Sequence, residues 1–280
     1  MVNDPSSVFS EHHPIWPQGS RDGEAPDAPR LSVFLPPAER RTGMGLLVLP
    51  GGGYCGRSEE KEGSKIAERF GREGIACFML SYRHAPNRHP IPLRDAQRGM
   101  RYLRASAGRW GLDPARLGVI GFSAGGHLAA SLGVYWDEGD AASPDPVQRA
   151  SCRPDFLLLI YPVITMRGPA THGGSRQNLL GDSPSEELMR ATSVELHVAG
   201  RTPPTFLFHT GADESVPAEH SLMFYQALRA AKVGAELHIF TQGGHGVGLA
   251  EEAPGLRLWP QLAIEWLAGR GLCPSDRAGR

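Results

Sequence analysis

The sequence predicts an α/β architecture, a mostly parallel central sheet with helices on both faces. Short, almost wholly apolar runs alternate with longer stretches whose apolar residues recur at helical spacing. Glycine-rich turns follow several of the apolar runs, where a strand must turn sharply into its next element.

Taken in order, residues 1–29 are rich in Pro, Gly, Asp and Ser and are expected to form an extended N-terminal arm. Residues 30–280 are expected to form one domain. The strands expected there are Leu31–Leu35, Gly45–Leu49, Ile75–Ser81, Leu117–Ile120, Phe156–Ile160, Thr205–Thr210 and Ala235–Phe240. Several are apolar throughout, as strands buried on both faces should be, and Phe156-Leu157-Leu158-Leu159-Ile160 is the plainest. Leu93, Ala96, Met100, Leu103 and Ala107 mark one helical stripe, and Phe224, Ala227, Leu228 and Ala231 mark another. A last helix is expected from Pro260, a residue suited to the first turn, burying Leu262, Ala263, Trp266 and Leu267. Residues from about 166 to 202 break the alternation, and form either an insertion over the site or a long connection.

Composition narrows the functional classes. The 280 residues carry a formal net charge of -1, with 40% apolar and 21% charged residues. Neither nucleic acid nor an anionic membrane is expected as a partner, and no apolar stretch approaches the roughly 18–20 residues of a membrane span. No basic segment followed by an apolar one opens the chain. A full-length chain is therefore expected in the cytoplasm, and one trimmed of a signal outside it. Cys55, Cys77, Cys152 and Cys273 are far apart and read as packing residues or free thiols. No metal or cofactor is expected: the pairs His12-His13 and His84 with His89 lack a third ligand of suitable spacing.

Chemistry enters at Gly121-Phe122-Ser123-Ala124-Gly125, a G-x-S-x-G turn between an expected strand and the helical stretch Gly126–Leu132. Such a turn lifts a serine Oγ clear of a sheet, because glycines leave room where side chains would crowd it. A second glycine run, Pro50-Gly51-Gly52-Gly53-Tyr54, follows the strand Leu46–Leu49. Backbone N–H groups of Gly52 and Gly53, with that of Ala124, are the expected donors to an oxyanion. A phosphate cradle is the rival for this loop, but the Lys-Ser/Thr that would complete one is missing. Tyr54 either lines the acyl pocket or packs.

On such a scaffold the acid and the histidine follow the serine in that order. Asp213 lies in the turn after Phe206–Thr210, with Glu214 as second choice; Asp182 and Asp155 are poorly placed relative to any strand. His245 sits among glycines after Glu236–Phe240, and alone of the eleven histidines has the required order and setting. His127, His209 and His220 are expected to be structural, the latter two flanking the acid.

These motifs, with Ser81-Tyr82-Arg83, Gly126-His127, Asp213-x-x-Val216-Pro217 and Gly244-His245-Gly246, resemble bacterial esterases of the α/β-hydrolase fold. The nearest group is the acetylesterases and acetylxylan-esterase-like proteins, and the likeness runs from about Trp16 to the final helix. It implies an α/β-hydrolase fold and hydrolysis of short-acyl esters, such as acetyl groups on carbohydrate. Two departures limit it. Leu49-Pro50 stands where related lipases often carry His before the glycines, and Ser123 stands where dienelactone hydrolases use Cys.

The mechanism expected is acyl transfer: Ser123 attacks, His245 takes its proton, and Asp213 steadies the imidazolium. Activity should fall toward acid pH as the imidazole protonates. Two rivals stand beside it. One is a serine peptidase of the prolyl-oligopeptidase type, usually built with an extra propeller for which 280 residues leave no room. The other is a non-catalytic receptor on the same fold. Arg167, His172, Arg176 and Asn178 are expected to shape the alcohol side of the site.

Overall fold

The computed structural model describes residues 8–18, 22–23 and 27–272. Eight strands form one sheet: β1 (Val8–Pro14), β2 (Arg30–Leu35), β3 (Gly45–Leu49), β4 (Ala76–Leu80), β5 (Leu117–Phe122), β6 (Leu157–Ile160), β7 (Thr205–Thr210) and β8 (Ala235–Phe240). Their order is β1-β2-β4-β3-β5-β6-β7-β8. β2 runs antiparallel to both its neighbours, and every other pairing is parallel. The helices are α1 (Lys65–Gly71), α2 (Ile91–Ala105), α3 (Ser123–Val134), α4 (Gly173–Leu180), α5 (Glu186–Ala191), α6 (Glu219–Ala230) and α7 (Trp259–Gly269).

Strand side chains alternate between two cores because successive residues point to opposite faces. Leu47, Leu49, Phe78, Leu80, Leu157 and Leu159 join the α2, α3 and α6 side, with Ala96, Met100, Leu128, Leu132, Phe224 and Leu228. Leu46, Val48, Cys77, Met79, Leu158 and Ile160 face the α1 and α7 side, with Ile66, Phe70, Trp259, Ala263 and Leu267. This two-sided burial is why those strands read as continuous apolar runs.

Seven strands fall where the apolar runs place them. The eighth does not. Val8–Pro14 lies in the stretch expected to be an arm, and pairs with β2 from Val8 opposite Leu35 to Pro14 opposite Arg30. It is an edge strand with an irregular register between Phe9 and Glu11. An edge tolerates charge and proline, so its sequence carries no apolar signature. Residues 166–202, expected as an insertion over the site or a long connection, are built from short helices. They hold α4, α5 and a 3-10 turn at Val194–His197, capped by His172 and Ser185, whose side chains accept the N–H groups of Ser175 and Leu188. Cys55, Cys77 and Cys152 are free thiols; Cys273 lies outside the described residues.

Candidate active site

Parallel strands deliver the candidate residues to one edge of the sheet. The glycine loop follows β3, Ser123 follows β5, Asp213 follows β7 and His245 follows β8. Ligand sites on open α/β sheets lie at this carboxyl edge, where the strands end and loops are free to vary.

Ser123 is the first residue of α3 and holds φ at +52°, a conformation a residue with a side chain rarely adopts. That is the sharp strand-to-helix turn the motif requires. Gly125 makes the turn possible: a Cβ there would sit 2.1 Å from the Leu49 carbonyl oxygen. Ser123 Oγ lies 2.7 Å from Nε2 of His245, and Nδ1 of that ring lies 2.6 Å from Asp213 Oδ2. A carboxylate can only accept, so Nδ1 carries the proton and Nε2 is left to receive the serine's. The Asp213 side chain is fully enclosed, whereas His245 keeps 23% of its surface. The three residues predicted from separate motifs therefore form one relay.

Asp213 is held from several sides. Its Oδ1 accepts the N–H groups of Ser215 and Val216 at 3.0 and 2.9 Å, and the His209 ring lies 3.6 Å from Oδ2. Burial pushes its pKa up, but His209, His245 and the Val216 N–H outweigh burial and hold the carboxyl well below the usual carboxylate range. His209 is fully buried, donating from Nε2 to the Val216 carbonyl and accepting the Ser221 hydroxyl at Nδ1. Glu214 is exposed and makes no part of the relay.

On the opposite side of the serine the glycine loop bends back. Gly52 has φ at +142°, and a Cβ there would lie 2.3 Å from the Gly56 carbonyl oxygen. Among the described residues, no protein group accepts from the N–H groups of Gly52, Gly53 or Ala124. Gly51 packs against the nucleophile, since a Cβ on it would meet that of Ser123 at 2.9 Å. Tyr54 packs rather than lining a pocket. It is 1% exposed, and its hydroxyl donates to Nδ1 of His127 at 2.8 Å.

The segment after β6 is tied to this loop. Asn178 Nδ2 donates to the Gly53 carbonyl at 2.9 Å, and His127 Nε2 donates to the Thr192 carbonyl at 2.7 Å. His220 accepts the N–H groups of Ile164 and Thr165 and donates to Ala170. Of the other residues expected on the alcohol side, His172 caps α4, while Arg167 pairs with Glu186 at 2.8 Å. Sequence reasoning had no signal for Glu62 or Tyr161, which join the two loops from behind. Among the described residues, no group of three or more His, Cys, Asp or Glu side chains is placed to hold a metal ion. No helix among them is long and apolar enough to cross a membrane.

Burial lowers the pKa of His127 to about 4, and does the same for His220. Both rings are neutral in the fold and must acquire a proton only on unfolding. Below the ordinary value near 6.5 the unfolded chain binds more protons, so stability falls from about pH 6.5 down to about pH 4. Each ring is expected to remove roughly 3 kcal/mol across that window. Thermal melts of His127→Gln should show a shallower acid slope than wild type; parallel slopes would contradict the assignment.

The family described as BD-FAE matches residues 31–228. An endo-1,4-beta-xylanase B of Butyrivibrio fibrisolvens is 38% identical over 85% of this chain and 38% of its own length. An acetylxylan esterase of Xylanibacter ruminicola is 34% identical over 82% of this chain and 45% of its own. The chain thus spans less than half of either relative. An acetyl ester-xyloside bifunctional hydrolase from Caldicellulosiruptor lactoaceticus has a crystal structure that superposes with a TM-score of 0.91. It is 39% identical, covering 95% of this chain and 98% of that one. The architecture is the α/β-hydrolase fold.

Proposed function

The chain belongs to the BD-FAE family, and from that premise we propose that it is a serine carboxylic-ester hydrolase acting on short acyl esters, chiefly acetyl groups on carbohydrate. The observation that carries the reading is the relay of 2.7 and 2.6 Å from Ser123 through His245 to Asp213.

In the proposed cycle Ser123 Oγ attacks the ester carbonyl as its proton passes to His245 Nε2. Asp213 holds the ring and stabilises the cation. Charge developing on the carbonyl oxygen falls to the N–H groups of Gly52, Gly53 and Ala124, each such donor being worth about 3 kcal/mol in the transition state. His245 then protonates the departing alcohol oxygen, and the acyl group stays on Ser123. Water repeats the sequence, with His245 as base, to release the acid and restore the serine.

The substrate class draws support from the relatives named for acetylxylan and acetyl ester-xyloside hydrolysis. Polar groups of the 165–201 segment, tethered to the glycine loop by Asn178, suit a hydroxylated alcohol portion. The test is a series of p-nitrophenyl esters beside acetylated xylan and a chromogenic peptide. Acetyl is expected to exceed butyryl at least tenfold in kcat/KM, since each misplaced methylene is worth about 1–3 kcal/mol, with acetate released from the polymer. Peptide cleavage without ester turnover would favour a peptidase. An intact chain that a fluorophosphonate never labels at Ser123 would favour a receptor.

A further inference from the structure

The interior behind the relay holds an acid that the proposed mechanism leaves idle. Glu62 is 4% exposed, in a π-helical turn at Glu60–Ser64 that runs into α1. Such turns are rare and recur at functional sites, where an extra residue displaces a side chain from regular helical spacing.

Both carboxylate oxygens of Glu62 are occupied by donors. Oε2 accepts the Gly51 N–H at 2.8 Å, and Oε1 accepts the Tyr161 hydroxyl at 2.9 Å. The Tyr161 oxygen accepts the Gly248 N–H at 3.0 Å, and the Gly248 carbonyl accepts the Trp259 indole N–H at 2.9 Å. Gly51 stands directly before the oxyanion donors; Gly248 lies three residues beyond His245. The Tyr161 ring also meets the His245 ring edge-on, with centroids 5.3 Å apart. One buried side chain thus grips the loop that would hold the oxyanion and, through one hydroxyl, the loop that carries the base.

We infer that Glu62 is a positioning residue: it locks the oxyanion loop to the histidine loop through Tyr161, and its charge steadies the imidazolium formed at His245. The inference rests on the esterase reading and deepens it. The Gly51 N–H can only donate, and with the Tyr161 hydroxyl donating to Oε1 both oxygens accept, the arrangement that favours the ionised form. Burial pushes the Glu62 pKa up, against the pull of Tyr161, the Gly51 N–H and the charges of His245 and Lys61. Tyr82 also feels its field. His245 itself is faced by Asp213, Tyr161 and His172, so the effect of Glu62 adds to that of Asp213 and must be separated by substitution.

The experiment compares wild type, Glu62→Gln and Tyr161→Phe in pH-dependent kinetics on p-nitrophenyl acetate, with rates taken per fluorophosphonate-labelled site. Glu62→Gln should lower kcat about tenfold or more with KM held within about twofold, as misplacement of the reacting groups predicts. Losing a nearby negative charge disfavours the imidazolium, so its acid limb should move to lower pH by about half a unit. Tyr161→Phe keeps the carboxylate but cuts the link to Gly248, and should lower kcat per labelled site with a smaller shift of the acid limb. An acid limb of Glu62→Gln that coincides with wild type overturns the inference. So does an unchanged kcat per labelled site in Tyr161→Phe, which decides the matter if Glu62→Gln does not fold. Failure of the esterase reading shows separately, as a wild-type chain without ester turnover. Histidine NMR would then still test the charge coupling: an imidazole at residue 245 that titrates alike in wild type and Glu62→Gln overturns it.

Discussion

Replacing Ser123 with Ala is expected to lower kcat on p-nitrophenyl acetate by about a million-fold while leaving the melting temperature within a few degrees of wild type. The size follows from the relay acting as a unit: without its nucleophile, only the oxyanion donors and substrate binding remain. Stability should barely respond, because Ala is smaller and meets the same positive φ as Ser. Asp213→Asn is expected to lose about ten-thousand-fold, since an amide in place of Oδ2 no longer fixes the proton on Nδ1. Steady-state kinetics, with circular dichroism to confirm folding, check both. Residual activity above about one per cent in folded Ser123→Ala would remove Ser123 from the chemistry.

Asp95→Ala is expected to cost about 3–5 kcal/mol of stability, the range for one member removed from a buried ion pair. Asp95 is wholly buried and answers four donors. Arg83 reaches it through Nε at 2.9 Å, Nη2 at 2.6 Å and its backbone N–H at 3.0 Å, and the Trp16 indole adds a fourth at 3.2 Å. Arg83, 5% exposed, would keep Asp22 at 2.9 Å as its ion-pair partner among the described residues, and that carboxylate is open to solvent. Mutual attraction in the intact pair is offset by desolvation of both charges, so the large loss comes from the stranded guanidinium. The damage should reach the site, since the Ala85 N–H, two residues on, donates to the Tyr54 carbonyl at the end of the glycine loop. Urea unfolding should show a lower midpoint with an unchanged slope; a loss below about 1 kcal/mol would mean that Arg83 finds another partner.

Most of the frame and the relay were legible in the sequence, for a common physical reason. The strands that lead to the glycine loop, Ser123 and Asp213 are buried throughout, and the turns at Ser123 and His245 hold glycines where the backbone is crowded or left-handed. Both requirements leave local marks, as around Ser123 and His245. β1 leaves none, because an edge strand such as Glu11–Pro14 satisfies its backbone on one side and needs no apolar alternation. α4 and α5 are short and polar, and are held by contacts such as Asn178 to Gly53 rather than by an amphipathic stripe. Glu62 was hidden for a different reason. It stands in the run Glu59-Glu60-Lys61-Glu62, which reads as a solvated face, and its partner Tyr161 is 99 residues away. Pairings set by tertiary structure have no local signature.

The positive φ of Ser123 carries a cost that belongs to the scaffold rather than to the reaction. Left-handed backbone at a residue with a β-carbon raises the energy of the native state by about 1–2 kcal/mol, and a glycine would adopt the same turn without it. Selection for heat tolerance alone would favour losing this side chain, so its retention sets durability against turnover at a single position.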